Sequence, residues 1–241
     1  AQTALRRLNR YHLERFDRCW IMDEPAAPGL AGELAHGTPH PANARYIGTV
    51  SRMGSSGPSR SEGYEVVAVI SGPEPQRTLL EEALLRQLQH IEGRHLLVRG
   101  VPAAAVDEQL GNVRRIGHLG AASLAGALLQ AELIVSRTGY TTLMDLEGLG
   151  RRALLVPTPG QPEQEYLGRV HGHSGRHAVQ AQHQLDVAAA LADPLLRTPV
   201  EALRPGDSLR AALVELAGMI TANTDRFDPS PSPTEGGTTR A

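Results

Sequence analysis

The sequence is poor in aromatic residues and in cysteine. Phenylalanine, tyrosine and tryptophan together make up 3% of its 241 residues, whereas apolar residues make up 41%. A hydrophobic core must therefore be built from Leu, Val, Ile and Ala, which favours helix-covered parallel strands over an aromatic-rich β-sandwich. The single cysteine, Cys19, excludes an intramolecular disulfide and cannot by itself form a zinc site. We expect a small core thiol, and a reducing compartment, the cytoplasm, for the protein.

Charge excess and long hydrophobic runs are missing as well. The formal net charge is −2, and Lys and Arg are scattered along the chain, so no basic patch for nucleic acid is predicted. No stretch reaches the roughly 20 apolar residues that span a bilayer, and the first residues lack the apolar centre of a signal peptide. Because the sequence starts without Met, we expect a fragment of a longer protein.

The two ends of the chain differ in texture from its middle. Residues 1–50 begin with a charged helix up to Arg15, followed by a short apolar run and a stretch that prolines and glycines interrupt. About fifty residues of this kind cannot bury a core of their own and must pack on another part. Residues 228–241 are rich in Pro, Ser and Gly, and we expect a disordered tail there.

The middle of the chain alternates predicted strands with predicted helices. Apolar and β-branched runs predict buried strands, at 66–70, 95–98, 113–116, 133–136, 153–156 and 178–180. Helical spacing of apolar residues predicts helices, at 78–91, 124–130, 139–148, 163–170, 187–191 and 208–220. Because a parallel neighbour needs a long crossover, this order predicts an α/β fold with a Rossmann-like, parallel, doubly wound sheet.

Ligands of doubly wound sheets bind beyond the carboxyl ends of the strands, so the loops there are the candidate sites. In the loop at 71–77, Gly72 follows a buried strand and lets the backbone approach a ligand, while the next helix start offers N–H groups to a phosphate. The alternative is a tight turn with Pro75 at the helix start. The residues leave both interpretations open.

The segment at 136–142 joins a strand directly to a helix. Hydroxyl groups and a guanidinium next to bare helix N–H groups predict a cradle for a diphosphate, with the candidates Ser136, Arg137, Thr138 and Gly139. The alternative is a Ser/Thr helix cap with an incidental arginine. Asp145, further along this helix, is a candidate for binding ribose hydroxyls, and a solvated surface aspartate is its alternative.

The loop at 157–166 is stiffened by prolines and crowded with polar groups. Its amides and carboxylates suit sugar hydroxyls, with the candidates Gln161, Gln164 and Glu165. An ordinary polar helix start is the alternative. Further on, His171, His173 and His177 match no standard zinc spacing, so we expect an exposed glycine-rich turn and no metal.

Two of these loops resemble a known family. Residues 136–146 and 152–167, in this order and at this separation, resemble the C-terminal domain of glycosyltransferase family 28. That family includes the UDP-N-acetylglucosamine transferase that makes lipid II of peptidoglycan. Residues 69–78 are similar to a bacterial subgroup related to that transferase.

The resemblance implies a GT-B architecture, in which two Rossmann-like domains face each other across a cleft. Residues 1–50 would be the end of the N-terminal acceptor domain and the linker, and residues 51–227 the C-terminal domain that binds the nucleotide sugar. Asp145 stands where the family has a glutamate on the ribose, and Gln164 and Glu165 stand where two glutamines bind the donor sugar. His118 and Leu119 fall near the loop whose backbone reads the uracil.

The function implied is inverting glycosyl transfer from a UDP-hexose such as UDP-N-acetylglucosamine, without a cofactor. The resemblance assigns the base and most acceptor contacts to the N-terminal domain, so this fragment alone would bind the donor and transfer nothing. It names no acceptor and leaves open a peripheral membrane association of the complete enzyme. The alternatives are a non-catalytic nucleotide-sugar-binding subunit of a split transferase and a sugar-nucleotide epimerase.

Overall fold

The computed structural model describes residues 2–53, 63–102, 106–203 and 206–224, with side chains from residue 7 to residue 221 within these ranges. The tail predicted at 228–241 lies outside the described residues, as do residues 225–227 of the predicted donor domain. None of the described helices is long and apolar enough to cross a membrane.

The first fifty residues form a small parallel sheet with two helices. Their elements are α1 (Gln2–Leu13), β1 (Cys19–Ile21), α2 (Glu33–His36) and β2 (Ala44–Tyr46). Strands β1 and β2 pair in parallel. A two-stranded sheet cannot enclose a core, and this segment packs on the larger part of the chain instead. Leu30 joins the main hydrophobic core, and three side chains of the larger part hold the segment's backbone.

The larger part is built on one seven-stranded sheet. Its strands are β3 (Val66–Val69), β4 (His95–Val98), β5 (Asp107–Leu110), β6 (Val113–Ile116), β7 (Leu133–Ser136), β8 (Leu154–Leu155) and β9 (Ala178–Val179). The spatial order is β5-β6-β4-β3-β7-β8-β9, and every neighbouring pair is parallel except β5 with β6. The chain winds outward from β3 in one direction and then, through β7, in the other. The order thus reverses between β3 and β7, which is where such folds bind ligands.

Helices cover both faces of this sheet. They are α3 (Gln76–Leu88), α4 (Ala121–Gln130), α5 (Tyr140–Leu149), α6 (Pro162–His173), α7 (Val187–Ala192), α8 (Pro194–Arg197) and α9 (Asp207–Thr224). One core cluster packs α4, α5 and α6 on the sheet, and a second packs α3, α7 and α8 on the opposite face. Both clusters are mainly aliphatic, as the composition requires. The predicted parallel, doubly wound fold is confirmed.

The edge strand β5 was not predicted. Its residues Asp107, Glu108 and Gln109 are exposed, and polar residues give no apolar strand signal. Gly111, with φ of 64°, lies in the connection that turns the chain back into β6. A turn and a cross-strand partner, rather than burial, therefore form this strand.

Candidate functional site

The three candidate loops meet at one edge of the sheet. Parallel pairing aligns Val69 with Ser136, and Ser136 with Leu155, so the loops that follow β3, β7 and β8 leave the sheet side by side. A Cβ atom added to Gly72 would lie 3.8 Å from the hydroxyl of Thr158, which places the first loop against the third. We call the loops at 71–75, 137–139 and 157–161 the carboxyl edge.

The start of α5 lies in the middle of the carboxyl edge and carries no side-chain cap. Gly139 is the N-cap residue, with φ of −73° and ψ of 139°, and no side chain hydrogen-bonds to the first turn. The hydroxyl of Ser136 donates instead to the Val69 carbonyl (3.1 Å), and that of Thr138 to the Gln164 carbonyl (2.9 Å). The Ser/Thr cap is therefore not formed, and the first-turn N–H groups of α5 lack a side-chain acceptor.

The side chain of Arg137 does not lie at the start of α5, where the diphosphate site was predicted. Its side chain is 1% exposed, and its guanidinium donates to the carbonyl of Gln76 (2.7 Å) and, with longer bonds, to those of Val156 and Pro157. Successive residues of a strand point to opposite faces, so the side chain after Ser136 turns toward α3, behind the loops. Direct contact with a diphosphate at the start of α5 is thus not available to this group, and the expectation of direct contact is corrected.

Asp145 is buried, contrary to the alternative of a solvated surface residue. It is 4% exposed and accepts a hydrogen bond from the Ser51 hydroxyl (2.7 Å), while its second oxygen lies 3.5 Å from Nε of Arg52. The segment before β3 therefore already binds the carboxylate. A ribose hydroxyl would have to share or replace the bond from Ser51.

The polar residues of the third loop bind mainly one another. The side-chain oxygen Oε1 of Gln164 accepts from N and Oγ1 of Thr158, both at 3.0 Å, and the side-chain amide nitrogen of Gln164 donates to Oε1 of Gln161. Oε1 of Glu165 accepts from the Gly160 N–H (2.9 Å). Oε2 of Glu165 and the amide nitrogen of Gln161 have no partner among the described residues. The network fixes the loop, and these two atoms remain for a ligand.

Two further candidates lie beyond the end of β6. His118 is exposed, and Leu119 packs partly against the core. Gly120 follows as the N-cap of α4, again without a side-chain cap. Strands β4 and β3 lie between β6 and β7, so the distance from this loop to the end of β7 is about 14 Å at normal strand spacing. A ligand that contacts both helix starts must extend across two strands.

The exposed glycine-rich turn predicted for the histidine cluster forms only in part. His173 and residues 174–175 are exposed, whereas His171 on α6 and His177 just before β9 are 4% and 3% exposed. The Nε2 of His171 lies 3.0 Å from the Leu30 carbonyl, and the Nδ1 of His177 accepts from the Ala153 N–H (3.2 Å). Among the described residues, no group of His, Cys, Asp and Glu is arranged to hold a metal ion.

A buried charge network at the opposite edge of the sheet was missed by the sequence analysis. Glu147 is 1% exposed, binds the Arg176 guanidinium through both oxygens, and has Nε2 of His177 at 3.6 Å. Burial acts to raise the pKa of Glu147, but the neighbouring His177 and Arg176 outweigh burial and lower it. Burial also lowers the pKa of His171. No local sequence pattern links these residues, which the fold brings together from α5, α6 and the start of β9.

Known proteins similar to this chain are glycosyltransferases. No family model matches. A stretch of 93 residues, 39% of this chain, is 34% identical to the UDP-N-acetylglucosamine–N-acetylmuramyl-(pentapeptide) pyrophosphoryl-undecaprenol N-acetylglucosamine transferase of Methylorubrum extorquens (strain PA1). The match spans 21% of that relative, so this chain aligns with about a fifth of its length. The relative is of the kind that the resemblance of the loops had indicated, so the resemblance is confirmed.

Two solved structures agree in fold. The glycosyltransferase of kitacinnamycin matches with a TM-score of 0.52 and 18% identity, over 86% of this chain and 54% of that one. The calicheamicin glycosyltransferase matches with a TM-score of 0.52 and 14% identity, over 92% of this chain and 57% of that one. At this identity the likeness concerns the fold alone. This chain aligns with somewhat more than half of each of these two proteins.

Proposed function

We propose that this chain binds a nucleotide sugar at the carboxyl edge, as the donor half of a glycosyltransferase. The observation that carries the proposal is the uncapped start of α5 at Gly139, at the point where the strand order reverses and three loops meet. Free N–H groups and the positive end of a helix dipole are a ready site for a diphosphate. The sequence similarity to a transferase that uses a UDP-sugar supports the same ligand class.

The proposed mechanism uses fixed dipoles rather than a metal. The first turn of α5 stabilises the negative charge of the departing nucleoside diphosphate, because preorganised N–H groups need no reorganisation during the reaction. Asp145 binds the ribose, and the loop of His118 and Leu119 lies against the uracil. Attack by the acceptor from the opposite side of the sugar would invert the anomeric centre. No residue of this chain is assigned as the base that deprotonates the acceptor.

The donor is proposed to be a UDP-hexose, and Glu165 bears on which one. A carboxylate only accepts hydrogen bonds, whereas an amide also donates to an acetamido carbonyl. The free oxygen of Glu165 therefore suits sugar hydroxyls, and the amide of Gln161 is the donor that remains in this loop. We propose that both contact the hexose, with UDP-N-acetylglucosamine and UDP-glucose as the donors to compare.

The test is calorimetric titration of the 241-residue chain with UDP, UDP-N-acetylglucosamine, UDP-glucose and dTDP. We expect saturable binding of UDP at submillimolar concentration and an additional gain from the preferred hexose. The matched control is Gly139→Asp, which puts a carboxylate on the N–H groups assigned to the diphosphate and should abolish the signal. The absence of detectable heat with every ligand at millimolar concentration would overturn the proposal.

A further inference from the structure

Arg137 combines deep burial with an incomplete set of partners. Its guanidinium donates to carbonyl groups at the end of β8 and at the start of α3, and these bonds join the elements around the carboxyl edge. Its Nε is also buried and has no acceptor. Backbone carbonyls carry partial charges only, so they solvate the cation but do not neutralise it.

The positive charge of Arg137 has no negative partner among the described residues, because no carboxylate there lies within 4.0 Å of its guanidinium. Burial lowers its pKa to about 10, so the group is still a cation at neutral pH. Keeping an unpaired charge in a protein interior is costly, and a nearby anion offsets that cost.

A second buried arginine shows that such a cation need not serve a ligand. Arg151, 9% exposed, donates to the carbonyls of Leu129 and Ala131, near the amino ends of the strands. Burial lowers its pKa as well, and Glu132 acts in the opposite direction. The two arginines therefore match in type and in their carbonyl partners. They differ in the edge of the sheet at which they lie and in that Glu132 acts on Arg151.

We propose that the buried positive charge of Arg137 strengthens the binding of the donor diphosphate at α5 without contacting it. The inference rests on the proposed function. Arg137 precedes the N-cap Gly139 by two residues, so its charge lies within roughly 15 Å of the first turn. Across protein interior rather than water, a unit charge at this distance changes affinity by about five-fold for each unit of ligand charge. Arg137 is thus a positioning residue and not a catalytic one.

The experiment compares three ligands that differ in charge on matched variants. Uridine, UMP and UDP are titrated into the wild-type chain, Arg137→Gln, Arg137→Lys and the control Arg151→Gln, each checked for folding by circular dichroism and thermal melting. We expect Arg137→Gln to weaken UDP, which carries about three negative charges, by about a hundred-fold, and UMP, which carries about two, by about twenty-five-fold, with uridine changed less than about two-fold. Arg137→Lys should keep the order of affinities, because it keeps the charge. Arg151→Gln should change none of the three.

Each result has a distinct meaning. An equal loss for all three ligands in Arg137→Gln, or no loss, would overturn the inference, because a structural role does not depend on ligand charge. If Arg137→Gln does not fold, Arg137→Lys is the test. A UDP-to-uridine affinity ratio near one in Arg137→Lys, which keeps the charge, would overturn the inference. A wild-type chain that binds none of these ligands contradicts the proposed function itself, which separates the two failures.

Discussion

The two edges of the sheet differ in how a buried charged group is paired. At the amino edge, where the strands begin, Glu147 is paired with Arg176 and His177, and Arg152 donates to the carbonyls of Gly175 and Arg176. At the carboxyl edge the first turn of α5 has no cap, and Arg137 has no counter-ion among the described residues. The buried carboxylate of the amino edge is thus paired within the chain, whereas the buried guanidinium and the first turn of α5 at the carboxyl edge have no carboxylate partner among the described residues.

The helix starts differ in side-chain capping as well. Helices α7 and α8, away from the candidate loops, are capped by the carboxylates of Asp186 and Asp193. The chain thus uses ordinary capping, yet α4 and α5 begin at glycines without it. A cap stabilises a helix start by about 1 kcal/mol. Giving up that stabilisation at the carboxyl edge is consistent with a phosphate as the partner.

The largest effect is expected at the amino edge, from Glu147→Gln. Removing one member of a buried ion pair leaves Arg176 and His177 without their carboxylate, and we expect the free energy of unfolding to fall by about 3 kcal/mol. Urea denaturation measures this change. UDP affinity of the folded variant should stay unchanged. The control Glu14→Gln breaks the exposed pair of Arg10 and Glu14, 2.8 Å apart, and should cost less than about 0.5 kcal/mol.

A smaller effect, with opposite signs for stability and binding, is expected from Gly139→Asp. The backbone of Gly139 is extended, and a Cβ there would meet only the Thr142 hydroxyl, at 3.8 Å. The new carboxylate should cap α5 and raise the free energy of unfolding by about 1 kcal/mol, while UDP binding is lost by repulsion.

Two variants make this prediction specific. Gly139→Ala adds the Cβ without the charge, so UDP binding should largely survive. Asp186→Ala removes the cap of α7 and should lower the free energy of unfolding by about 1 kcal/mol, with UDP affinity unchanged. A parallel loss of stability and binding in Gly139→Asp would show that the edges do not differ as proposed.

The smallest expected effect concerns acid stability through His171. Its folded-state pKa is lowered, so below about pH 6.5 the unfolded chain binds a proton that the folded chain does not. Stability conferred by neutral His171 is present above that pH and is lost as the pH falls, at no more than about 1.4 kcal/mol per pH unit. Glu147, whose pKa is also lowered, adds its own loss as the pH falls below about 4.5.

The measurement is the free energy of unfolding at pH 7.5, 6.0 and 5.0. His171→Gln should show a flatter decline than the wild type, because the titrating group is gone. His90→Gln, a change at an exposed histidine, should follow the wild-type curve. Equal slopes for His171→Gln and the wild type would contradict the prediction.

The strands, the helices and the parallel sheet could be predicted from the sequence better than the orientation of the side chains. Strands β4, β6 and β7 were predicted residue for residue. β4 and β7 are short apolar runs between polar breaks, and β6 has a β-branched apolar residue at each end. The edge strand β5 was missed, because its residues are polar. The positions of the candidate loops followed from the parallel sheet, which brings all strand ends of one direction to one edge.

The partners of individual side chains could not be predicted in the same way. Arg137 looked like a phosphate ligand because its neighbours are hydroxyls and a glycine, yet the alternation of faces in β7 turns it away. Asp145 gained Ser51 as a partner from a segment 94 residues earlier. His171 and His177 are buried by packing with distant elements, and local composition does not report such contacts.

The strand β5 has a consequence for how this molecule can associate. Its outer side carries charged residues, and Asp107 and Glu108 pair with Arg114 and Arg115 of β6, at 2.7 Å and 2.6 Å. A further strand that added to this border would place its own side chains beside these charges. Joining of an apolar strand to the sheet is thus disfavoured on this side.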